Sequence, residues 1–222
     1  MRKKIVDYDQ EFAYDCNAEI YCDASLESYY NYECIYQQLL KSTDFEEDYI
    51  KVGESLNKNF INCIVYSQMC IESLLNYYIL LYLDKETSEE LFDKLNIKQK
   101  LTFISKVLFN KNINKGTLLF DSVGVLVKKR NELVHNKTKY MKYSDKPEYN
   151  LENFKKDLSE EFKIIKKAII AIIQTATFLE DNRQENYMLE MLFLCDAEKL
   201  EEQKYREMAV KDFKIKMSID DF

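Results

Sequence analysis

Apolar side chains recur every three or four residues through most of this chain, the spacing at which an α-helix buries one face. In the run over about residues 56–83, the apolar positions are Phe60, Ile61, Ile64, Ile71, Leu75, Tyr78, Ile79 and Tyr82. A second run, over about 151–181, contains the stretch AIIAIIQTATFL, which is apolar on several sides. The pattern therefore predicts two long helices, the second of them buried on more than one face.

Capping residues divide the rest of the chain into shorter helices. Ser25, with Glu27 in the first turn, predicts one helix start, and a short helix is expected from about Ser88. Asn96 has the position of an N-cap for the next helix, and Gly116 marks the turn after it. These signals place helices between and before the two long runs.

The second half of the chain continues in the same way. A helix over about 117–135 is followed by a polar loop that contains Pro147, and DNRQ breaks the chain at 181–184. The last helix, over about 185–211, is apolar in its first half and charged afterwards. Three glycines and one proline are too few for the turns of a sheet-rich protein, so the predicted fold class is all-α.

We expect an antiparallel, up-and-down helical bundle with extra helices at both ends. Residues 1–50 are an acidic, tyrosine-rich helical extension, 51–182 the bundle, and 183–222 a C-terminal extension packed on it as one compact unit. Polar residues interrupt the longest apolar run, so no membrane association is expected. The opening MRKKIVDYDQEF lacks the apolar core of a signal peptide, and the six cysteines include no Cys-x-x-Cys pair. We therefore expect a cytoplasmic protein with reduced cysteines.

The charge and the histidine content restrict the kinds of binding site that the chain can form. The net charge of −7 argues against a protein that coats nucleic acid non-specifically. Residues 128–146 nevertheless hold seven positive and two negative side chains, a local charge of +5. This stretch contains the only histidine, so a zinc site built from clustered cysteine and histidine is not expected, and no metal or cofactor is predicted. The basic stretch is either a solvated loop or a local binding site.

The helix over about 117–135 has an unusual apolar face. On a helical wheel this face spans about 140°, and its members are Leu119, Phe120, Val123, Leu126, Val127, Leu133 and Val134. Arg130 falls near the middle of the face, and Asn131 and His135 share one edge of it. An arginine therefore points where a core residue is expected.

A buried guanidinium costs several kcal/mol unless it is paired, roughly the penalty for any buried ion. In a structural interpretation Arg130 pairs with a buried carboxylate, for which Glu72 on the long helix is the best candidate, and His135 ends its helix. In a functional interpretation the arginine lines a cleft or dimer seam and binds an anion, with Glu72 as a supporting residue. The wheel alone favours the structural interpretation.

The stretch KKRNELVHNK at the end of a bundle helix resembles the signature of the HEPN superfamily (higher eukaryotes and prokaryotes nucleotide-binding). That signature is an arginine, usually followed by Asn, Asp or His, and a histidine about five positions after the arginine; Arg130, Asn131 and His135 match it. The context is similar too, since SQMCIESLLNYYI resembles the long early helix of the family and LNIKQKLTFISKVL the helix before the motif. The resemblance covers about residues 55–180.

Members of this superfamily are commonly metal-independent endoribonucleases, many of them toxins of toxin–antitoxin pairs or effectors of antiviral abortive infection. The resemblance implies that Arg130 and His135 are catalytic, that Asn131 supports them, and that the substrate is RNA such as tRNA or mRNA. It also implies a homodimer, with an antitoxin or a nucleotidyltransferase as a candidate partner. Some family toxins carry a tyrosine two positions after the histidine, where this chain has Lys137, and Tyr140 is the nearest tyrosine.

The residue types suit that chemistry. Attack by the RNA 2′-hydroxyl needs a proton acceptor near pH 7, which histidine provides, and a fixed cation on the phosphorane, which arginine provides. Each chain offers one histidine, whereas the reaction uses an acid and a base, so two motifs at a two-fold seam would complete the site. Candidate contacts to the RNA backbone are Lys128, Lys129, Lys137, Lys139 and Tyr140.

Two other functions stay open at this point. A non-catalytic helical module would bind a nucleotide or a protein partner, with Arg130 as its phosphate anchor. A purely structural bundle would use Arg130 and His135 to stabilise a dimer. The two terminal extensions either hold a partner such as an antitoxin or pad the bundle.

Overall fold

The computed structural model describes residues 16–41, 49–135, 151–183, 192–193 and 200–214, and within these ranges the chain is helical throughout apart from short connections. No strand occurs in the described ranges, which confirms the predicted all-α class. The helices are α1 Ala18–Lys41, α2 Tyr49–Tyr82, α3 Lys85–Lys94, α4 Ile97–Phe103, α5 Leu118–Val134, α6 Leu151–Arg183 and α7 Leu200–Phe213, and α4 continues into a π-helical segment, Ile104–Leu108. None of the described helices is both long enough and apolar enough to cross a membrane.

Helices α1 and α2 run antiparallel and form the largest contact in the fold. Cys16 Sγ lies 3.7 Å from Ser73 Oγ at one end, and Ser25 Oγ lies 2.6 Å from Ser67 Oγ in the middle. The prediction that Ser25 caps a helix is wrong, because α1 begins seven residues earlier and Ser25 is buried against α2. A serine that caps a helix and a serine packed between two helices cannot be told apart in a sequence. The pattern therefore could not show which of these roles Ser25 has.

Tyrosine side chains of α1 form much of the core. Tyr32 is fully buried and its hydroxyl donates to the Leu158 carbonyl oxygen at 3.2 Å and to Glu161 at 3.1 Å, both on α6. The Phe162 ring stacks on Tyr32 at a centroid distance of 6.1 Å. The tyrosine-rich segment predicted as an extension therefore shares one continuous core with α2 and α6, although the predicted boundary at residue 50 coincides with the start of α2.

Helix α7 packs on α1 through a buried ion cluster. The Arg206 guanidinium is only 1% exposed; it donates to both carboxylate oxygens of Asp23 at 2.6 Å and to Glu19 at 2.9 Å. Beside this cluster the Tyr30 hydroxyl donates to Asp212 at 3.2 Å. The C-terminal helix is thus attached to the body of the protein by charge-assisted hydrogen bonds as well as by apolar contact.

Two short helices connect α2 to α5. Helix α3 begins at Lys85, three residues before the predicted start at Ser88, because Asp84 is the N-cap and accepts a hydrogen bond from the Thr87 amide at 2.9 Å. The predicted cap Asn96 is confirmed: its side chain and that of Gln99 form a capping box at the start of α4. The long helices α2 and α6 match their predicted extents to within about one or two turns.

Candidate functional site

The predicted motif lies at the C-terminal end of α5. This helix begins after Thr117, whose backbone is extended, and ends at His135, whose amide donates to the Asn131 carbonyl oxygen at 2.9 Å. The predicted helix over 117–135 is therefore confirmed, and the histidine occupies the C-cap position. Its imidazole is exposed, as is the Asn131 side chain one turn earlier.

Helix α5 is held in the bundle by its first half. The side chains of Leu119, Val123 and Leu126 are buried, and the buried Ser122 hydroxyl is satisfied within the helix by the Leu118 and Leu119 carbonyl oxygens. Leu126 is the last buried residue of the helix. The motif thus begins one turn beyond the tightly packed core, on a helix whose position the core fixes.

Arg130 is half-buried and forms no ion pair in the described part of the chain. Its Nη1 donates a weak hydrogen bond of 3.4 Å to Asn131 Oδ1, and that amide is itself exposed. The wheel directs Arg130 toward the core side of α5, where Val127 and Leu133 are only partly buried against the core. Val134, assigned to the same apolar face, is 53% exposed.

The predicted pairing of Arg130 with Glu72 is not found. Glu72 instead accepts a hydrogen bond of 2.7 Å from Lys100 Nζ, a fully buried ammonium on α4, while the glutamate side chain is 41% exposed. The C-terminal end of α5 contacts α2 near Phe60, where Lys129 Nζ lies 5.5 Å from the ring centroid. Phe60 and Glu72 are separated by about 18 Å along α2 at the helical rise, so Glu72 cannot reach the motif.

The two lysines that precede Arg130 have different surroundings. Lys128 is exposed and lies 4.0 Å from Glu132, an i,i+4 pair on the solvent side. Lys129 lies 3.4 Å from the same glutamate but turns inward over Phe60. Burial raises the pKa of Glu161 on α6, and the positive charge of Lys129 opposes that shift. Of these two lysines, Lys128 is therefore the better placed to contact a ligand.

Three further residues proposed for RNA contact, Lys137, Lys139 and Tyr140, lie outside the described residues. In the described ranges no group of three or more histidine, cysteine, aspartate or glutamate side chains could hold a metal ion. What the motif offers chemically is therefore a cation with no carboxylate partner among the described residues, an exposed amide and an exposed imidazole at one helix end.

The structure also contains a cleft that was not predicted from the sequence. A cleft lies between the start of α4 and the start of α5 and is lined in part by Lys98, Lys115 and Phe120. Lys98 and Phe120 are 22 positions apart in the sequence, and no capping or periodicity signal connects these three residues. Only the packing of α4 against α5 brings them together.

No protein-family model matches the chain, and comparisons with curated proteins and with solved structures gave no match either.

Proposed function

We propose that the protein is a metal-independent endoribonuclease of the HEPN type, in which Arg130 and His135 carry the reaction. One observation supports this most: the arginine at the core-facing position of α5 has no carboxylate partner among the described residues. The ion pair expected of a structural arginine on this side of α5 is therefore not formed within the described ranges. A guanidinium without one, at the end of a well-packed helix beside the only histidine, suits an anionic ligand.

The reaction requires no metal. The 2′-hydroxyl of the substrate attacks the adjacent phosphorus, and its proton passes to an imidazole acting as general base. Arg130 stabilises the added negative charge of the phosphorane through bidentate hydrogen bonds. The bond from phosphorus to the 5′-oxygen then breaks, and that oxygen takes a proton from an acid. The products are a 2′,3′-cyclic phosphate and a free 5′-hydroxyl.

A single chain has one histidine and therefore does not supply both the base and the acid of this reaction. In our proposal two chains meet about a two-fold axis at the end of α5, so that one His135 acts as base and the partner's His135 as acid. Val134 supports this arrangement because it places a 53% exposed apolar side chain next to the histidine. Asn131 lies between the two functional residues in sequence and is proposed to hold a phosphate oxygen or orient the imidazole.

The proposed biological role also rests on the resemblance to the HEPN superfamily. We propose a toxin or an antiviral effector that acts in the cytoplasm on tRNA or mRNA and is controlled by an antitoxin or another partner. Single-stranded or looped RNA is the expected substrate, because its 2′-hydroxyl can align with the leaving group.

The decisive experiment is cleavage of labelled tRNA and total RNA by the full-length protein in EDTA. The wild type should produce cyclic-phosphate ends, and His135→Ala should not, because no other imidazole can replace it. Lys163→Ala, an exposed helical substitution away from the motif, is the matched control and should cleave normally. Light scattering should give the mass of a dimer.

Two outcomes would reject this proposal. Cleavage that survives in His135→Ala would remove the histidine from the reaction, and cleavage that EDTA abolishes would require a metal. Absence of cleavage by a folded dimer that still binds RNA through Arg130 would instead identify a non-catalytic binding module.

A further inference from the structure

The cleft between α4 and α5, here the α4–α5 cleft, has a volume of about 810 Å³. Its lining includes Asn96, Lys98, Gln99, Lys115, Thr117 and Phe120. It lies at the N-terminal end of α5, whereas the motif lies at the C-terminal end. The cleft therefore presents amide, hydroxyl and ammonium groups around one half-buried aromatic ring.

The cleft carries positive charge that the described residues do not neutralise. Neither Lys98 nor Lys115 forms an ion pair within the described ranges. The only carboxylate in the lining belongs to Asp121, and it accepts a hydrogen bond of 2.9 Å from Lys167 on α6. In a protein of net charge −7, this leaves two ammonium groups that face the same space and that no described carboxylate neutralises.

The cleft lies on the same face of α5 as Asn131 and His135. At 100° per residue, Thr117, Phe120, Gly124, Asn131 and His135 fall within a sector of about 60°. Arg130 lies about 110° from the middle of this sector, and its guanidinium meets the face through the hydrogen bond to Asn131. Lys98 crosses this face from α4: a Cβ added at Gly124 would lie 3.1 Å from the lysine Nζ. A ligand lying along this face would therefore meet the lysines first and the motif afterwards.

The distance between the two ends fits a short RNA strand. Phe120 and Asn131 are separated by about 16 Å along the helix axis. Nucleotides stacked at about 3.4 Å each would cover this distance with about five residues of RNA, and fewer if the strand is extended. Aromatic rings and lysines are the groups with which proteins bind single strands, the ring stacking on a base and the ammonium contacting phosphate.

We infer that the α4–α5 cleft is a subsite for single-stranded RNA, which binds a nucleotide about five positions from the phosphate at Arg130. Lys98 and Lys115 contact backbone phosphates, and the Phe120 ring stacks on a base. The inference rests on the proposed function for the position of the reacting phosphate. Binding in the cleft itself requires no cleavage, so the two can be tested apart.

Binding is measured by fluorescence anisotropy with a labelled single-stranded decaribonucleotide and the full-length His135→Ala protein over a series of salt concentrations. Adding Lys98→Ala and Lys115→Ala removes two phosphate contacts. The slope of log K against log salt should become shallower by about 1.4, and affinity at 0.1 M salt should fall about 25-fold. Lys106→Ala with Lys211→Ala, two exposed lysines outside the cleft, removes the same charge and should change affinity less than about 3-fold.

The aromatic contact has its own variants. Phe120→Ala should weaken binding of the decamer about 5-fold or more, the lower range for loss of one stacked base. Because Phe120 is half-buried, Phe120→Leu provides a second variant that keeps apolar packing and removes the stacking ring. Phe120→Leu should bind nearly as weakly as Phe120→Ala. Equal affinity of Phe120→Leu and the parent protein would remove the stacking contact from the proposal.

Substrate length separates this inference from the proposed function. With His135 restored, the lysine substitutions should lower kcat/KM for the decamer about 25-fold and leave kcat/KM for a dinucleotide unchanged. His135-dependent cleavage with unchanged decamer binding would overturn the subsite and leave the ribonuclease proposal intact. Loss of decamer affinity in a protein that cleaves nothing would keep the subsite and reject the ribonuclease. Adenosine monophosphate that binds the cleft without competing with the decamer would show a free-nucleotide site and overturn the inference.

Discussion

The same substitution, arginine to alanine, should have opposite consequences at two positions of this chain. Arg206 is buried between two carboxylates, whereas Arg130 is half-buried and, in the described part of the chain, bonded only to an exposed amide. Removing Arg206 should destabilise the fold and leave the chemistry of the motif unchanged. Removing Arg130 should abolish activity with little effect on stability.

The loss in free energy of unfolding expected for Arg206→Ala follows from the surroundings of the guanidinium. The guanidinium is 1% exposed, and its partners Asp23 and Glu19 are 17% and 43% exposed. Removing one member of a buried ion pair costs about 3–5 kcal/mol, because a charge is left unpaired. Glu19 can regain hydration, so we expect the lower value, about 3 kcal/mol. For a chain of this length that corresponds to a fall in Tm of about 6–12 °C.

The loss in free energy of unfolding expected for Arg130→Ala is much smaller. Within the described ranges its one side-chain hydrogen bond is 3.4 Å long, and no carboxylate there is left unpaired when the guanidinium is removed. Substitutions at such positions usually change the free energy of unfolding by less than about 1 kcal/mol. The expected change in Tm is below about 4 °C.

Circular dichroism during urea and thermal unfolding gives the stability of both variants at one protein concentration, and cleavage of labelled tRNA in EDTA gives their activity. Arg130→Ala should be stable and inactive, and Arg206→Ala should be active at temperatures well below its lowered Tm. A fall in Tm for Arg130→Ala as large as that for Arg206→Ala would show that Arg130 is a structural cation. Such a result would refute the proposal that Arg130 binds an anionic ligand.

Three further predictions concern the stability of the bundle. Gly124→Ala should raise the free energy of unfolding by about 0.5–1 kcal/mol in urea titrations, since glycine is unfavourable inside a helix and the flexible end of Lys98 can move aside; a loss of stability would mean that the lysine cannot move. Lys100→Met should change stability by less than about 1 kcal/mol, because the methionine fills the buried site and the half-exposed Glu72 can hydrate; a loss above about 3 kcal/mol would contradict this. Burial raises the pKa of the Cys63 thiol to about 12. The unfolded chain therefore loses this proton first, and stability should fall as pH rises from about 9 toward 12. Between pH 8 and 10 the wild type should lose about 1.4 kcal/mol more than Cys63→Ala, and equal losses would count against a buried, protonated thiol.

The local character of a helix explains which features could be predicted from the sequence. Helix period, the capping box at Asn96 and the turn at Gly116 depend on residues within a few positions of each other. The all-α class, the extents of α2 and α6, and the position of the motif on α5 followed from such signals. The wheel also directed Arg130 correctly toward the core side of its helix.

The tertiary structure alone decided the partners and the exposure of those residues. A wheel gives the direction of a side chain around the helix axis, but the neighbouring helices determine how far the core extends along that axis. Beyond Leu126 the side chains on the core side of α5 are only partly buried, Arg130 among them, and the register of α4 against α2 pairs Glu72 with Lys100. The burial of Ser25 and the lysines of the α4–α5 cleft depend on packing between separate helices in the same way. These contacts join residues distant in sequence, for which a single chain carries no periodic or capping signal.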